Sequence, residues 1–408
     1  MKRLLMICLV TIMSIALLSA CSSNTSSPSS NNTSSNEKKS EEITIWTNFQ
    51  VEAELLQQYA DKWSEETGNK ATVIHNSIEL QQFAQATNTA NGPDGIFGIA
   101  NDQLASFVTA NLVAETPSDL YNDNDYVDAS IQASYIDGKR FGLPIAVETI
   151  TLFYNTDKLS TPPATWDELL TDAKDNGGIK FDAKSIYYDY GFVRAFDGYI
   201  FNWENNSYNV ADIGLGNSGA IQAYQYIQKL VDEGFISSDI TFDIARGSFE
   251  NGETAFYIGG PWDVSAFSSA GLNFAVAPMP TLNDKPFTTP VGTQVAFVSA
   301  KSKKQNTVWE FYQYLEEQAA TELYNVGGRI PAKLANQNNI ETDEVTDSFI
   351  VQISNGEPLP SVPELGQLWG LYNDNMSLMF GKKTTPEETA KNIETQFVEA
   401  IELMHSGL

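Results

Sequence analysis

The chain has 408 residues, 42% hydrophobic and 11% aromatic. That is ample core material and more length than one comfortable core takes, so two domains are expected. Lys and Arg number 24 against 52 Asp and Glu, a formal charge of −28 that argues against nucleic acid and anionic membrane surfaces as partners.

The first element is not part of the fold. Lys2 and Arg3 precede an apolar run from Leu4 to Leu18, and Leu18-Ser19-Ala20-Cys21 follows. A basic start, a short apolar stretch and small residues define a secretory signal peptide over residues 1–20. The run is too short for a comfortable membrane span. Leu-Ser-Ala-Cys resembles the bacterial lipobox, which implies cleavage before Cys21 and attachment of lipid, palmitate included, to that cysteine. Ordinary secretion with an incidental cysteine is the alternative. Residues 22–40 offer nothing apolar to bury, so 21–40 is expected to be a lipidated cysteine on a flexible Ser/Asn-rich tether. Loss of Lys2 and Arg3 leaves 22 basic against 52 acidic residues, or −30. Cys8 leaves with the signal, so the exported body has no disulfide.

The body opens on an alternating strand, Glu42 to Trp46. Leu55, Leu56, Tyr59 and Trp63 fall at helical spacing, with Gly68 as the stop. A second strand, Ala71 to His75, a second helix, Ile78 to Ala86, and a third strand, Gly95 to Phe97, complete a β-α-β-α-β rhythm. That rhythm predicts a parallel sheet covered by helices. Ligands in such sheets sit beyond the carboxyl ends of the strands, which places Thr47 to Gln50 and Gly98 to Gln103 at one rim. The apolar run Gly142 to Val147 continues past Glu148 into Thr149 to Tyr154, long enough for a crossing between two domains. Thr165 and Glu168 fit a capping box, as do Thr385 and Glu388 with Pro386 between them. Ser218 is expected to cap a helix ending at Gly234. Residues 185–208 are rich in aromatics. Thr254 to Ile258 is a short buried strand that meets Gly259-Gly260-Pro261 and at once presents Trp262, a flat apolar ring on a turn.

Catalytic chemistry is scarce. His75 reads as a strand-end residue and His405 as part of a frayed terminus. No metalloprotease helix, phosphate loop or nucleophile elbow is present. Asp123-Asn124-Asp125 lacks the Gly and Glu of a calcium loop and is expected to be a solvated turn. No cofactor or metal is expected. A glycosidase needs only two carboxylates, so that alternative stays open. Aromatic rings with scattered carboxylates and amides suit a sugar, whose C–H faces stack on rings and whose hydroxyls bond to Asp, Glu and Gln.

Five segments in order carry a resemblance. They are Gly92-Pro93-Asp94; Gly142 to Glu148 leading to Tyr154-Asn155; Pro163 to Glu168; Phe249 to Trp262; and Val362 to Leu365 ahead of Trp369. From about Ile43 to the C-terminus the chain resembles the maltose/maltodextrin-binding proteins, the extracellular solute-binding proteins of ABC transporters. The resemblance implies an α/β fold of two lobes closing like a flytrap, each a mostly parallel sheet flanked by helices, with C-terminal helices. It implies a first lobe of 41–147 and 295–337, a second of 151–290 and 340–408, and hinges near 147–151, 291–294 and 337–340.

The same resemblance assigns sugar-binding roles to Trp262, Trp369, Glu148 and Asp102, and to Tyr187 or Tyr188 and Tyr190, with the register at 187/188 left open. Gln103 stands where relatives carry Arg, Gln50-Val51 where they carry Asp-Lys, and Gly98 or Ile99 where they carry a Trp. It implies a monomer, lipid-anchored through Cys21 on the outer face of the cell membrane. That monomer would hand a maltodextrin-type oligosaccharide to an ABC permease. A different oligosaccharide, or an anchored glycosidase using Asp102 and Glu148, are the alternatives.

Overall fold

A computed structural model of the protein describes residues 40–89 and 92–406. The signal segment, Cys21 and the stretch to residue 39 lie outside the described residues.

Two sheets organise the body. The first runs from one edge as Ile330–Pro331, Leu143–Thr149, Pro290–Val298, Gly95–Ala100, Glu42–Thr47 and Lys70–His75, with Glu357–Pro358 beside the start of the long strand. Glu42–Thr47 pairs in parallel with both Lys70–His75 and Gly95–Ala100, because helices Ala53–Thr67 and Leu80–Ala86 carry the chain back between them. Pro290–Val298 returns from late in the chain and needs no such crossover. It lies antiparallel to Gly95–Ala100 and to Leu143–Thr149. The sheet is therefore mixed: parallel where the β-α-β rhythm built it, antiparallel where the late strand enters.

Strand alternation divides the first sheet's two faces. Ile43, Ile45 and Phe97 pack on Leu56, Tyr59, Trp63 and Tyr312. Trp46, Ile96 and Phe297 pack on Phe83, Leu104 and Phe107.

The second sheet runs Phe274–Ala277, Thr151–Asn155, Phe256–Gly259, Ile179–Lys180. Phe153 is its hub, with five aromatic rings between 5.6 and 6.3 Å away. Between strands Leu143–Thr149 of the first sheet and Thr151–Asn155 of the second stands one residue, the fully buried Ile150. Flanking threonines fix its path. Thr149 Oγ1 donates to the Pro290 carbonyl at 2.7 Å, and Thr151 Oγ1 to that of Ala277 at 2.6 Å.

Local signals behave as their chemistry dictates. Both capping boxes form, at Thr165 with Glu168 and at Thr385 with Glu388. Gly68 ends its helix at φ 76°, a left-handed conformation open to glycine. Asn217 rather than Ser218 caps helix Ser218–Asp232, since its side chain accepts from Ala220 N. Asp123 is held by Arg140 at 2.6 Å and by Tyr135. No group of three or more His, Cys, Asp or Glu able to hold a metal occurs among the described residues.

Candidate functional site

Trp262 follows strand Phe256–Gly259 on a single 3-10 turn, Pro261–Asp263. Its ring is 44% exposed. It lies so close over Gly260 that a Cβ there would meet ring carbons at 2.3 Å. A glycine is needed at 260 for that close approach, not for an unusual φ. Beneath, Asp263 is 1% exposed. It pairs with Arg246 at 2.9 Å and accepts from Tyr257 Oη at 2.9 Å. Burial pushes its carboxyl up, and those two partners oppose the shift. The turn that presents Trp262 is thus anchored by a buried, hydrogen-bonded acid.

Trp369 opens helix Leu368–Phe380 and lines a cavity of about 700 Å³. Pro363, Leu365 and Gly366 flank it. The rest of the wall comes from the ends of the first sheet's parallel strands: Asn48 and Gln50, then His75, Asn76 and Glu79, then Asp102 and Gln103. Ring and C–H surface comes from Pro363, Leu365 and Trp369 and also from Ile78, Leu80 and Phe107, while amides, imidazole and carboxylates come from the strand ends.

Asp102 sits in the first turn of helix Asn101–Thr109. Burial raises its carboxyl pKa, and backbone N–H groups at the helix start oppose this. Its neighbour Asn101 fixes the helix. Buried at 1%, Asn101 donates to the Leu359 carbonyl at 3.0 Å and Ser361 Oγ at 2.9 Å, and accepts from Thr293 N at 3.0 Å.

Glu148 is raised chiefly by burial and further by the charge of Asp102, while Arg329 and a hydrogen bond from Gln294 pull it down. Arg329 stands 3.8 Å from Glu148, 2.7 Å from Glu52 and 4.3 Å over the ring of Phe49. Phe49 in turn lies over Gly98, where φ is +88° and a Cβ would strike the ring at 2.5 Å. Position 98 therefore offers no platform, and Ile99 is fully buried.

The three tyrosines of helix Ile186–Ala195 separate. Tyr187 is half-buried and packs edge-on against Tyr188 at 5.5 Å. Its phenol is pushed up by burial and then by the charges of Glu148 and Asp102, so it shares their surroundings. Tyr188 is buried and feels Asp263 and Asp182 instead. Tyr190 donates to Glu357 Oε2 at 2.7 Å. It faces a different cavity, about 260 Å³, with Arg194, Trp203 and Tyr208.

The fold thus gathers Gln50, Asp102, Gln103 and Trp369 around one cavity and couples Tyr187 and Glu148 to Asp102. It sets Trp262 apart on its own turn above Asp263. Asn101 and Arg329 are further polar groups that sequence patterning did not single out. His75, read as a strand-end residue, ends its parallel strand on the cavity wall.

On this geometry the molecule is a binding protein, with an open polar and aromatic cleft at strand ends. Residues 58–349 match the model of the bacterial extracellular solute-binding proteins. The chain is 30% identical over 345 residues to the galactooligosaccharide-binding protein of Bacillus subtilis, covering 81% of this chain and 82% of that one. It is 27% identical over 338 residues to a maltooligosaccharide ABC transporter solute-binding lipoprotein of Streptococcus pneumoniae, covering 77% and 78%. A cyclo/maltodextrin-binding protein solved with maltotetraose superposes with a TM-score of 0.86 at 28% identity, over 90% of this chain and 99% of that one. The chain belongs to the bacterial extracellular solute-binding protein family and has its two-domain α/β fold. It is a binding protein and not an enzyme, which sets aside the glycosidase alternative.

Proposed function

We propose that this protein captures a maltodextrin-type oligosaccharide and delivers it to an ABC permease. In this reading it works as a monomer held by lipid on Cys21 at the outer face of the cell membrane. The observation that supports the reading is one cavity that brings the ring of Trp369 together with the carboxylate of Asp102 and the amides of Gln50 and Gln103, with Tyr187 and Glu148 near enough to feel the charge of Asp102. Trp262 adds a further exposed ring. A sugar presents C–H faces to the rings and hydroxyls to the carboxylates and amides. The first lobe is 41–147 with 295–337 and the second 151–290 with 340–408. Closure is centred on hinges near 147–151, 291–294 and 337–340, and the single residue between the two sheets supports the first of them.

A galacto-oligosaccharide is the second reading, favoured by the relative of that name at 30% identity. Both sugars stack on rings, and they differ at C4, where the oxygen is equatorial in glucose and axial in galactose. Titration calorimetry with maltotriose and with a galactotriose separates the two. Micromolar affinity, about 8 kcal/mol, is expected for maltotriose. A preference for the galactose series gives the second reading, and no binding of either sinks both.

A further inference from the structure

The helices that carry Tyr187 and Trp369 are joined inside the protein by one polar pair. Tyr372, one turn beyond Trp369, donates its hydroxyl to Asp189 Oδ2 at 3.0 Å. Both side chains have no exposed surface. The other carboxylate oxygen, Asp189 Oδ1, has no hydrogen-bond partner. Around the pair the packing is aromatic: the ring of Tyr224 lies 6.2 Å from that of Tyr372 and gives its own hydroxyl to the Leu215 carbonyl.

Such a pair is a poor source of stability. Desolvating a carboxyl costs about what the bond returns, and apolar side chains of similar size often do as well or better. Its physical effect is on register. Aromatic packing tolerates one helix sliding along another, whereas a hydrogen bond at this distance does not survive a slide of about 1.5 Å, one residue's rise.

The helical positions tie that register to the cleft. Tyr187 and Asp189 are two residues apart, hence on opposite sides of their helix, so an inward Asp189 leaves Tyr187 facing out. Tyr187 is half-buried while Asp189 is buried. Trp369 and Tyr372 are three apart and share a side of theirs.

We propose that Asp189 and Tyr372 are positioning residues for ligand binding. By fixing the axial offset between their two helices they set the spacing of the Tyr187 and Trp369 rings. They thereby select an oligosaccharide long enough to stack on both. This rests on the cleft being the sugar site.

The test compares three variants with the wild type by maltotriose titration, thermal unfolding and sugar-free crystal structures. Asp189→Asn keeps an acceptor for Tyr372 and is expected to bind within about twofold of wild type. Tyr372→Phe is expected to weaken binding about tenfold. The double variant Asp189→Leu with Tyr372→Phe replaces the pair by apolar groups. It is expected to unfold at or above the wild-type temperature, yet to bind about tenfold more weakly with an altered ring spacing. Wild-type affinity in the double variant overturns the proposal and makes the pair mere packing. If the wild type binds no oligosaccharide, the sugar reading fails instead. The ring spacing then decides this proposal: unchanged spacing in the double variant overturns it, and altered spacing upholds it.

Discussion

The guanidinium of Arg329 lies 2.7 Å from the carboxylate of Glu52, a side chain only 1% exposed. Gly327, two residues before Arg329, leaves room for this contact: a Cβ there would meet Glu52 Oε1 at 1.9 Å. Arg329 also covers Phe49 and reaches Glu148. Positions 51 and 103 carry Val and Gln, and the cation beside Glu52 comes from a loop distant in sequence. Arg329→Met keeps the stem over Phe49 and removes the charge. Leaving Glu52 buried and unpaired is expected to cost about 3 kcal/mol in urea unfolding. A loss well under 1 kcal/mol would mean that Glu52 is otherwise satisfied.

Opposite pH trends follow from Glu148 and Asp102. Burial raises both carboxyls above their usual range. The native protein therefore holds these protons at a pH where the unfolded chain has released them. Sugar-free stability contributed by the two groups falls as pH rises from the unfolded value, about 4.3 for Glu, through the raised native value. Affinity moves the other way, because the ionised form is the better hydroxyl acceptor. Glu148→Gln is expected to unfold at a higher temperature than wild type near neutrality, with the difference closing in acid. Its sugar affinity should be lower and flatter with pH. Calorimetry across that range measures both, and parallel trends in stability and affinity would contradict the assignment.

At the Trp262 turn, Trp262→Ala is expected to weaken maltotriose binding by about 2 kcal/mol, the size of an anchor residue. Stability should shift by less than about 1 kcal/mol, since Trp262 is 44% exposed. Gly260→Ala forces the indole aside and should lower affinity in the same direction. Gly366→Ala is the control on the cavity wall, since a Cβ there meets nothing within 4 Å. Unchanged titration curves for the first two variants would remove Trp262 from the site.

Asn101 holds three partners from two distant segments. Asn101→Ala leaves Thr293 N–H and the Leu359 carbonyl without that partner inside the protein. A destabilisation of about 2 to 3 kcal/mol is expected in urea unfolding. Affinity should fall as well, because Asp102 begins the same turn. Loss of stability with full affinity would separate the two roles.

Much of the fold was legible because its signals are local. The β-α-β rhythm, Gly68, both capping boxes and the strand leading to Trp262 depend on residues within a few positions of one another. The antiparallel place of the late strand Pro290–Val298 between two early strands is not local, since long-range pairing decides it. Helix Ile186–Ala195 showed only as a run of aromatics, because its residues are buried on nearly every side and leave little amphipathic period.

The candidate site divides the same way. Trp262 and Trp369 stand out as large rings beside turn residues. Arg329 does not, because its partners Glu52 and Phe49 lie some 280 positions earlier. Asp189 is one acid among 52, and only burial beside Tyr372 distinguishes it.

The exposure of the tryptophans has an optical consequence. Of seven in the chain, Trp46, Trp63, Trp166 and Trp309 are buried at 9% exposure or less. Only Trp203, Trp262 and Trp369 meet solvent, and Trp203 lines the smaller cavity. Emission that a dissolved quencher can reach therefore comes from two rings of the proposed sugar site and one reference ring outside it. An arriving sugar would shade the first two and leave the third alight, so the protein carries its own gauge of occupancy.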